Sequence, residues 1–142
     1  MRISARNVMK GTITNIEDGA VNCIVSIEVG GATLISSITM EAIRDLKLEV
    51  GMPAYAIVKA SHVMFASGTE PLANLSARNQ LVGQVSTIRA GAVNGRVSLE
   101  LEDGNIITGS ITNAAIKDLG LEVGSPAVAI MKSSDIMIGI DD

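Results

Sequence analysis

Ser4-Ala5-Arg6-Asn7, then Gly11, then Gly19-Ala20-Val21-Asn22, returns as Ser76-Ala77-Arg78-Asn79, Gly83 and Gly91-Ala92-Val93-Asn94, each residue 72 places further on. The chain is a tandem duplication. The offset holds at 72 through Glu28/Glu100 and becomes 73 from about Ser37/Ser110 to Met64/Met137, because the second copy carries one extra residue near Asp103-Gly104. An insertion of that size belongs at a hairpin tip. Roughly half of the aligned positions are identical, so each copy serves as an internal comparison for the other.

Working outward from the motif, residues 8–16 read as a strand, with Met9, Gly11 and Ile13 on one side matched by Leu81, Gly83 and Val85. Glycine inside a strand predicts a bend or bulge at Gly11 and Gly83. Val21, Cys23, Val25, Ile27 and Val29 alternate with more polar neighbours, as a half-buried strand requires, and residues 93–101 repeat the pattern. Gly30-Gly31 and Asp103-Gly104 are hairpin signals, followed by a third strand at 32–39 and 105–112. Thr39 and Thr112 are placed to cap short helices at 40–46 and 113–119. Pro53 and Pro126 open a fourth strand running to Lys59 and Lys132, and a fifth follows at 63–66 and 136–140.

Three strands, a short helix and two more strands is the element order of an OB-type barrel. The expected fold class is therefore all-β: two tandem OB-type five-stranded barrels, each with one short helix. Residues 1–67 form the first barrel, 68–74 a linker containing Gly68 and Pro71, and 75–142 the second barrel. In this topology the first strand lies antiparallel beside the fourth. Arg6 is therefore expected near Lys59, and Arg78 near Lys132.

The bulk numbers bound the function. Units of about 65 residues bury small cores and tend to pack on one another or on further chains. A composition 47% hydrophobic and only 18% charged points the same way, to interfaces between subunits. The net charge of −4, with no basic tail, excludes general attraction to nucleic acid or anionic membrane. Nucleic-acid binding by a barrel also needs aromatic platforms, and Tyr55 and Phe65 are the only aromatic residues. Cys23 faces Gly95 in the other copy, so it supports neither a disulfide framework nor a repeated metal site. No secretory leader is recognised and no apolar run is long enough to span a bilayer, so a cytoplasmic protein is expected. No phosphate-cradling loop, dinucleotide fingerprint or zinc motif is present, and His62 is not repeated. The expectation is a binding protein rather than an enzyme.

A charge used in both copies should appear in both. Among eleven Lys and Arg, three aligned positions are basic twice: Arg6/Arg78, Arg44/Lys117 and Lys59/Lys132. The middle pair varies in identity and sits beside Asp45 and Asp118, which reads as solvated surface. The other two are invariant between copies and the topology brings them together. An Arg and a Lys that converge repel each other, and an anion between them relieves the cost. Ser4 and Ser76, with Ser61 and Ser134, add hydroxyl donors to the planar fork of Arg and the point charge of Lys. The alternative is that Arg6 and Lys59 pair with Glu28 or Asp45 as structural salt bridges.

The Ser-Ala-Arg-Asn opening, the glycine four residues later, Gly-Ala-Val-Asn and the late Lys59-Ala60-Ser61 together resemble the molbindin, or Mop, domain family, and the doubled form resembles its tandem di-Mop members. The resemblance implies intracellular binding of molybdate, or tungstate, for storage and homeostasis. It implies no other cofactor, and a ring of six barrels, which for a two-barrel chain is a trimer. It assigns the oxyanion to Ser4, Arg6, Lys59 and to Ser76, Arg78, Lys132, held between neighbouring barrels with no protein ligand directly on the metal. It also implies a second kind of oxyanion site on the threefold axis, using Val21, Asn22, Val93 and Asn94. The competing role within the family is a molybdate-responsive effector module that regulates a transporter or a transcription partner. The copies depart from each other where Lys59-Ala60-Ser61 becomes Lys132-Ser133-Ser134 and His62 becomes Asp135, which predicts unequal affinities.

Overall fold

Alternating burial along the strands curls the chain into two five-stranded sheets in a computed structural model that describes residues 1–142. The elements are β1 (Asn7–Glu17), β2 (Asn22–Val29), β3 (Ala32–Thr39), α1 (Met40–Leu46), β4 (Pro53–Val58), β5 (Met64–Ser67), β6 (Asn79–Ala90), β7 (Asn94–Leu101), β8 (Ile106–Thr112), α2 (Asn113–Asp118), β9 (Pro126–Met131) and β10 (Met137–Gly139). A 3₁₀ turn at Ala60–His62 precedes β5, and another at Ser133–Asp135 precedes β10. Both helices are capped as the sequence indicates: Thr39 Oγ1 accepts from the Ala42 N–H at 3.2 Å, and Thr112 Oγ1 from the Ala115 N–H at 3.1 Å.

β1 lies antiparallel to β4, with Asn7 opposite Val58, and β6 to β9, with Asn79 opposite Met131. The bulges fall three residues past the glycines expected to mark them, between Ile13 and Asn15 and between Val85 and Thr87. Gly11 and Gly83 stay in register and serve close approach instead. A Cβ on Gly11 would collide with the Glu28 carbonyl, and one on Gly83 with the Glu100 carbonyl.

The fifth strands are exchanged. The sheet orders are β10-β4-β1-β2-β3 and β5-β9-β6-β7-β8, so each barrel is completed by a strand from the other half of the sequence. Met137 pairs with Ile57, and Met64 with Ile130. The boundaries at 67 and 75 thus divide the repeats in sequence, whereas in space residues 64–67 belong to the second barrel and 137–139 to the first. One buried cluster of 23 residues runs through both barrels, including Val63, Phe65, Ile136 and Ile138 from the exchanged segments. Merging two small cores in this way reduces the surface each unit would otherwise leave in water.

The last letter of the repeated motif clamps the seam. Asn7 is 2% exposed; its Nδ2 donates to the Thr108 carbonyl at 2.8 Å, and its Oδ1 accepts from the Thr108 N–H at 2.7 Å. Asn79 binds the peptide of Ile35 in the same way, accepting at 2.7 Å and donating at 2.8 Å. Each amide acts as a one-residue strand, satisfying a backbone donor and acceptor on the other barrel.

Candidate functional site

The β1–β4 register decides the site. With Asn7 opposite Val58, the residues just outside the ladder, Arg6 and Lys59, come face to face. Ser4, Ala5 and Arg6 form one side of a cleft of about 380 Å³, and Lys59, Ala60 and Ser61 the other. The 3₁₀ turn that starts after Lys59 is held by the His62 N–H bonding the Lys59 carbonyl at 3.0 Å, which sets where Ser61 sits. Ile3 and Met137 supply the apolar part of the wall. The second copy builds a matching cleft of about 400 Å³ from Ser76, Ala77 and Arg78 facing Lys132, Ser133 and Ser134, with Met64 and Leu75 as its apolar wall.

All eight expected oxyanion residues therefore line two clefts, four in each, and the backbone pairing accounts for it. No acidic side chain lines either cleft. The salt bridges in the molecule are Met1 N with Asp141 and Lys10 with Asp141, and the imidazole of His62 lies beside Asp135, so none of Arg6, Lys59, Arg78 and Lys132 has a carboxylate partner. Pairing with Glu28 or Asp45, the structural alternative, is not what the fold provides. In a chain of net charge −4, two exposed cleft walls thus hold uncompensated positive charge beside hydroxyl groups. Arg and Lys held together without a counter-ion favour an anion whose oxygens can accept several donors at once.

Asp135 stands outside the lining of the second cleft and turns to the seam, where its Oδ1 lies 3.6 Å from His62 Nδ1. The two residues that occupy equivalent places in the repeats thus meet across the pseudo-twofold axis. Val21, Asn22, Val93 and Asn94 line neither cleft. Val21 and Val93 sit in the β1–β2 and β6–β7 turns and Asn22 and Asn94 open β2 and β7; the Val21 carbonyl accepts from the Met40 N–H at 2.9 Å and the Val93 carbonyl from the Asn113 N–H at 2.8 Å. Val21 and Val93 are each 71% exposed.

Sequence reasoning missed Met64 and Met137 as cleft residues and Asn7 and Asn79 as clamps. The signal was present, since both pairs are identical in the two copies, but a methionine at strand spacing reads as core. Elsewhere, no cluster of three or more His, Cys, Asp or Glu side chains is positioned to hold a metal ion, and no helix is long and apolar enough to cross a membrane.

The TOBE domain matches residues 3–65 and again residues 75–138. The molybdenum transport protein ModE of Herbaspirillum seropedicae is 38% identical over 141 residues, 99% of this chain and 52% of that protein. The molybdenum-pterin-binding protein MopA of Rhodobacter capsulatus is 36% identical over 141 residues, 99% of this chain and 53% of that one. The chain thus spans about half the length of these relatives. Among solved structures, the cytoplasmic molybdate-binding protein ModG, crystallised with molybdate bound, superposes with a TM-score of 0.94 at 43% identity, covering 99% of this chain and 100% of that one.

Proposed function

We propose, for a chain that belongs to the TOBE domain family and carries that domain twice, that it binds molybdate in its two Arg/Lys/Ser clefts and serves as an intracellular store that buffers the oxyanion. The observation that carries this reading is the convergence, twice, of Arg, Lys and two serines in a cleft without a carboxylate. The likeness to a molybdate-bound protein that this chain matches from end to end supports the choice of anion, and supports binding in its own right over service as a regulator's effector module. Arg6 and Arg78 supply a planar pair of donors, Lys59 and Lys132 a point charge, and Ser4, Ser61, Ser76 and Ser134 hydroxyls. These groups would contact the oxygens of the anion, leaving its metal without a protein ligand. Tungstate, with the same tetrahedral form, is a second cargo. Catalysis is no part of this reading.

Assembly as a trimer of two-barrel chains belongs to the same proposal. Val21, Val50, Val93 and Val123 are 61–71% exposed, and each is exposed at the same place in both repeats. Apolar side chains left in water at matched positions are what an interface between copies covers. Docked copies would also bring Val21, Asn22, Val93 and Asn94 together for a second type of site.

The test is calorimetry with molybdate and sulfate on the parent protein and on Arg6→Met and Arg78→Met. Each substitution removes charged hydrogen bonds contributing about 1.5–3 kcal/mol, so each is expected to weaken its own cleft roughly ten- to a hundredfold. Melting without ligand should not change. Equal affinity for sulfate in the parent would overturn the molybdate assignment, and a collapse of the ligand-free melting temperature would make the arginines structural.

A further inference from the structure

Each cleft has an apolar wall to which the other half of the chain contributes one side chain. Met137, the first residue of β10, lines the first cleft, and Met64, the first of β5, lines the second. These are the exchanged strands, so the methionine arrives from the opposite repeat. Both side chains stay half-exposed, 45% for Met64 and 43% for Met137, although the residues on either side of them are buried. Along this strand the repeats differ at Val63/Ile136, Phe65/Ile138 and Ala66/Gly139, and only the methionine is unchanged. Core packing explains the variable neighbours. It does not explain a retained, half-exposed side chain.

Resting on the reading that the clefts hold a tetrahedral oxyanion, we propose that Met64 and Met137 are specificity-determining residues that favour a large, weakly hydrated oxyanion over sulfate. The Arg, Lys and Ser groups donate to any tetrahedral dianion, so their hydrogen-bond pattern does not discriminate. Discrimination then rests on fit and on dehydration. A thioether on a flexible, unbranched stem moulds to a curved surface and offers only a weak acceptor, so an anion pressed against it loses water there without replacement. Sulfate, smaller and of higher charge density, holds its water more strongly and loses more by this contact. Because Met137 and Met64 arrive on the exchanged strands, the methionine and the charged side of each cleft come from different repeats.

Calorimetry on the full-length chain tests this with molybdate and sulfate in an Arg78→Met background, where the first cleft is the site measured. Met137→Gln keeps the side-chain length and makes the wall polar. It is expected to lower the molybdate-to-sulfate affinity ratio about tenfold, the scale at which a pocket wall discriminates between similar ligands. Met64→Gln in the same background should leave that ratio alone, and the pattern should reverse in an Arg6→Met background. Met137→Leu, which stays apolar, should hold the parental ratio and serves if the Gln variant fails to fold. The proposal is overturned if Met137→Gln weakens both anions by one factor, if Met64→Gln lowers the first cleft's ratio equally, or if Met137→Leu lowers the ratio tenfold. A parent that binds neither anion would instead overturn the binding reading itself.

Discussion

The two barrels share one framework and differ in how they fill the places where they touch. In the second, Phe65 of β5 packs against Gly109, where a Cβ would run into its ring. In the first, Ser36 stands at the place of Gly109, Ile138 replaces Phe65, and the Ser36 hydroxyl donates to the Ile136 carbonyl at 2.5 Å. A larger residue on one side goes with a smaller one on the other, and the two members of each pair come from opposite repeats. Inside the halves the paired residues change together instead: Cys23 lies against Met40 in the first, while the second has the smaller Gly95 beside Asn113. The repeats have therefore diverged as parts of one packed object. The clefts differ by Ser133 for Ala60, one more hydroxyl in the second, and by Leu75 for Ile3.

The largest effect is expected at the clamps, where the barrels are most alike. Asn7→Leu leaves the Thr108 peptide without its donor and acceptor, and Asn79→Leu does the same to Ile35; each should cost about 2–4 kcal/mol, read as a shift in the urea midpoint. Losses of similar size would confirm a symmetrical seam, whereas a loss in one variant alone would show that one side holds it. Next comes the asymmetric contact. Gly109→Ala forces a methyl against Phe65 and should cost about 2 kcal/mol, since overpacking has no easy relaxation here. Writing the first barrel's pair into the second, Gly109→Ser with Phe65→Ile, should recover most of that stability. If the double variant is no better than the single, the compensation is accidental.

The smallest effect concerns the hairpin that carries the extra residue. Asp103 Oδ1 accepts from the Asn105 N–H at 2.9 Å, and Oδ2 accepts from the Gly31 N–H of the other barrel at 3.2 Å. The hydrogen bond from the Asn105 backbone, chiefly, lowers the carboxyl below its ordinary value of 3.8. A carboxylate lowered on folding contributes stability above its unfolded value and loses it as pH falls through the folded one. Denaturant midpoints should therefore drop between pH 5 and pH 3 by more in the parent than in Asp103→Asn. The difference should be slight, because the group is exposed and solvent screens it. Identical profiles would leave the hairpin tip with no part in joining the barrels.

Much of this was legible in the chain. Duplication, the order of elements along the chain, helix caps and the meeting of Arg6 with Lys59 all follow from spacing, because antiparallel pairing of β1 with β4 fixes which residues face each other just beyond its end. Gly11 and Gly83 were misplaced as bulges because a glycine that relieves a bend and one that admits a neighbouring carbonyl look alike in sequence. The clamp role of Asn7 was hidden for a similar reason: its partner, Thr108, lies 101 residues away.

The sequence by itself determined the repeated barrel and the chemistry of its clefts, since local alternation, capping and strand register are short-range and each copy states them separately. Only the tertiary structure decided which half closes which barrel. β5 and β10 are nearly equivalent as strands, and the ladder either would form with β4 or β9 is the same, so backbone pairing does not choose between them. The choice comes from side chains remote in sequence: the space at Gly109 that admits Phe65, the hydroxyl of Ser36 that binds Ile136, and the asparagine clamps that hold the two barrels against each other.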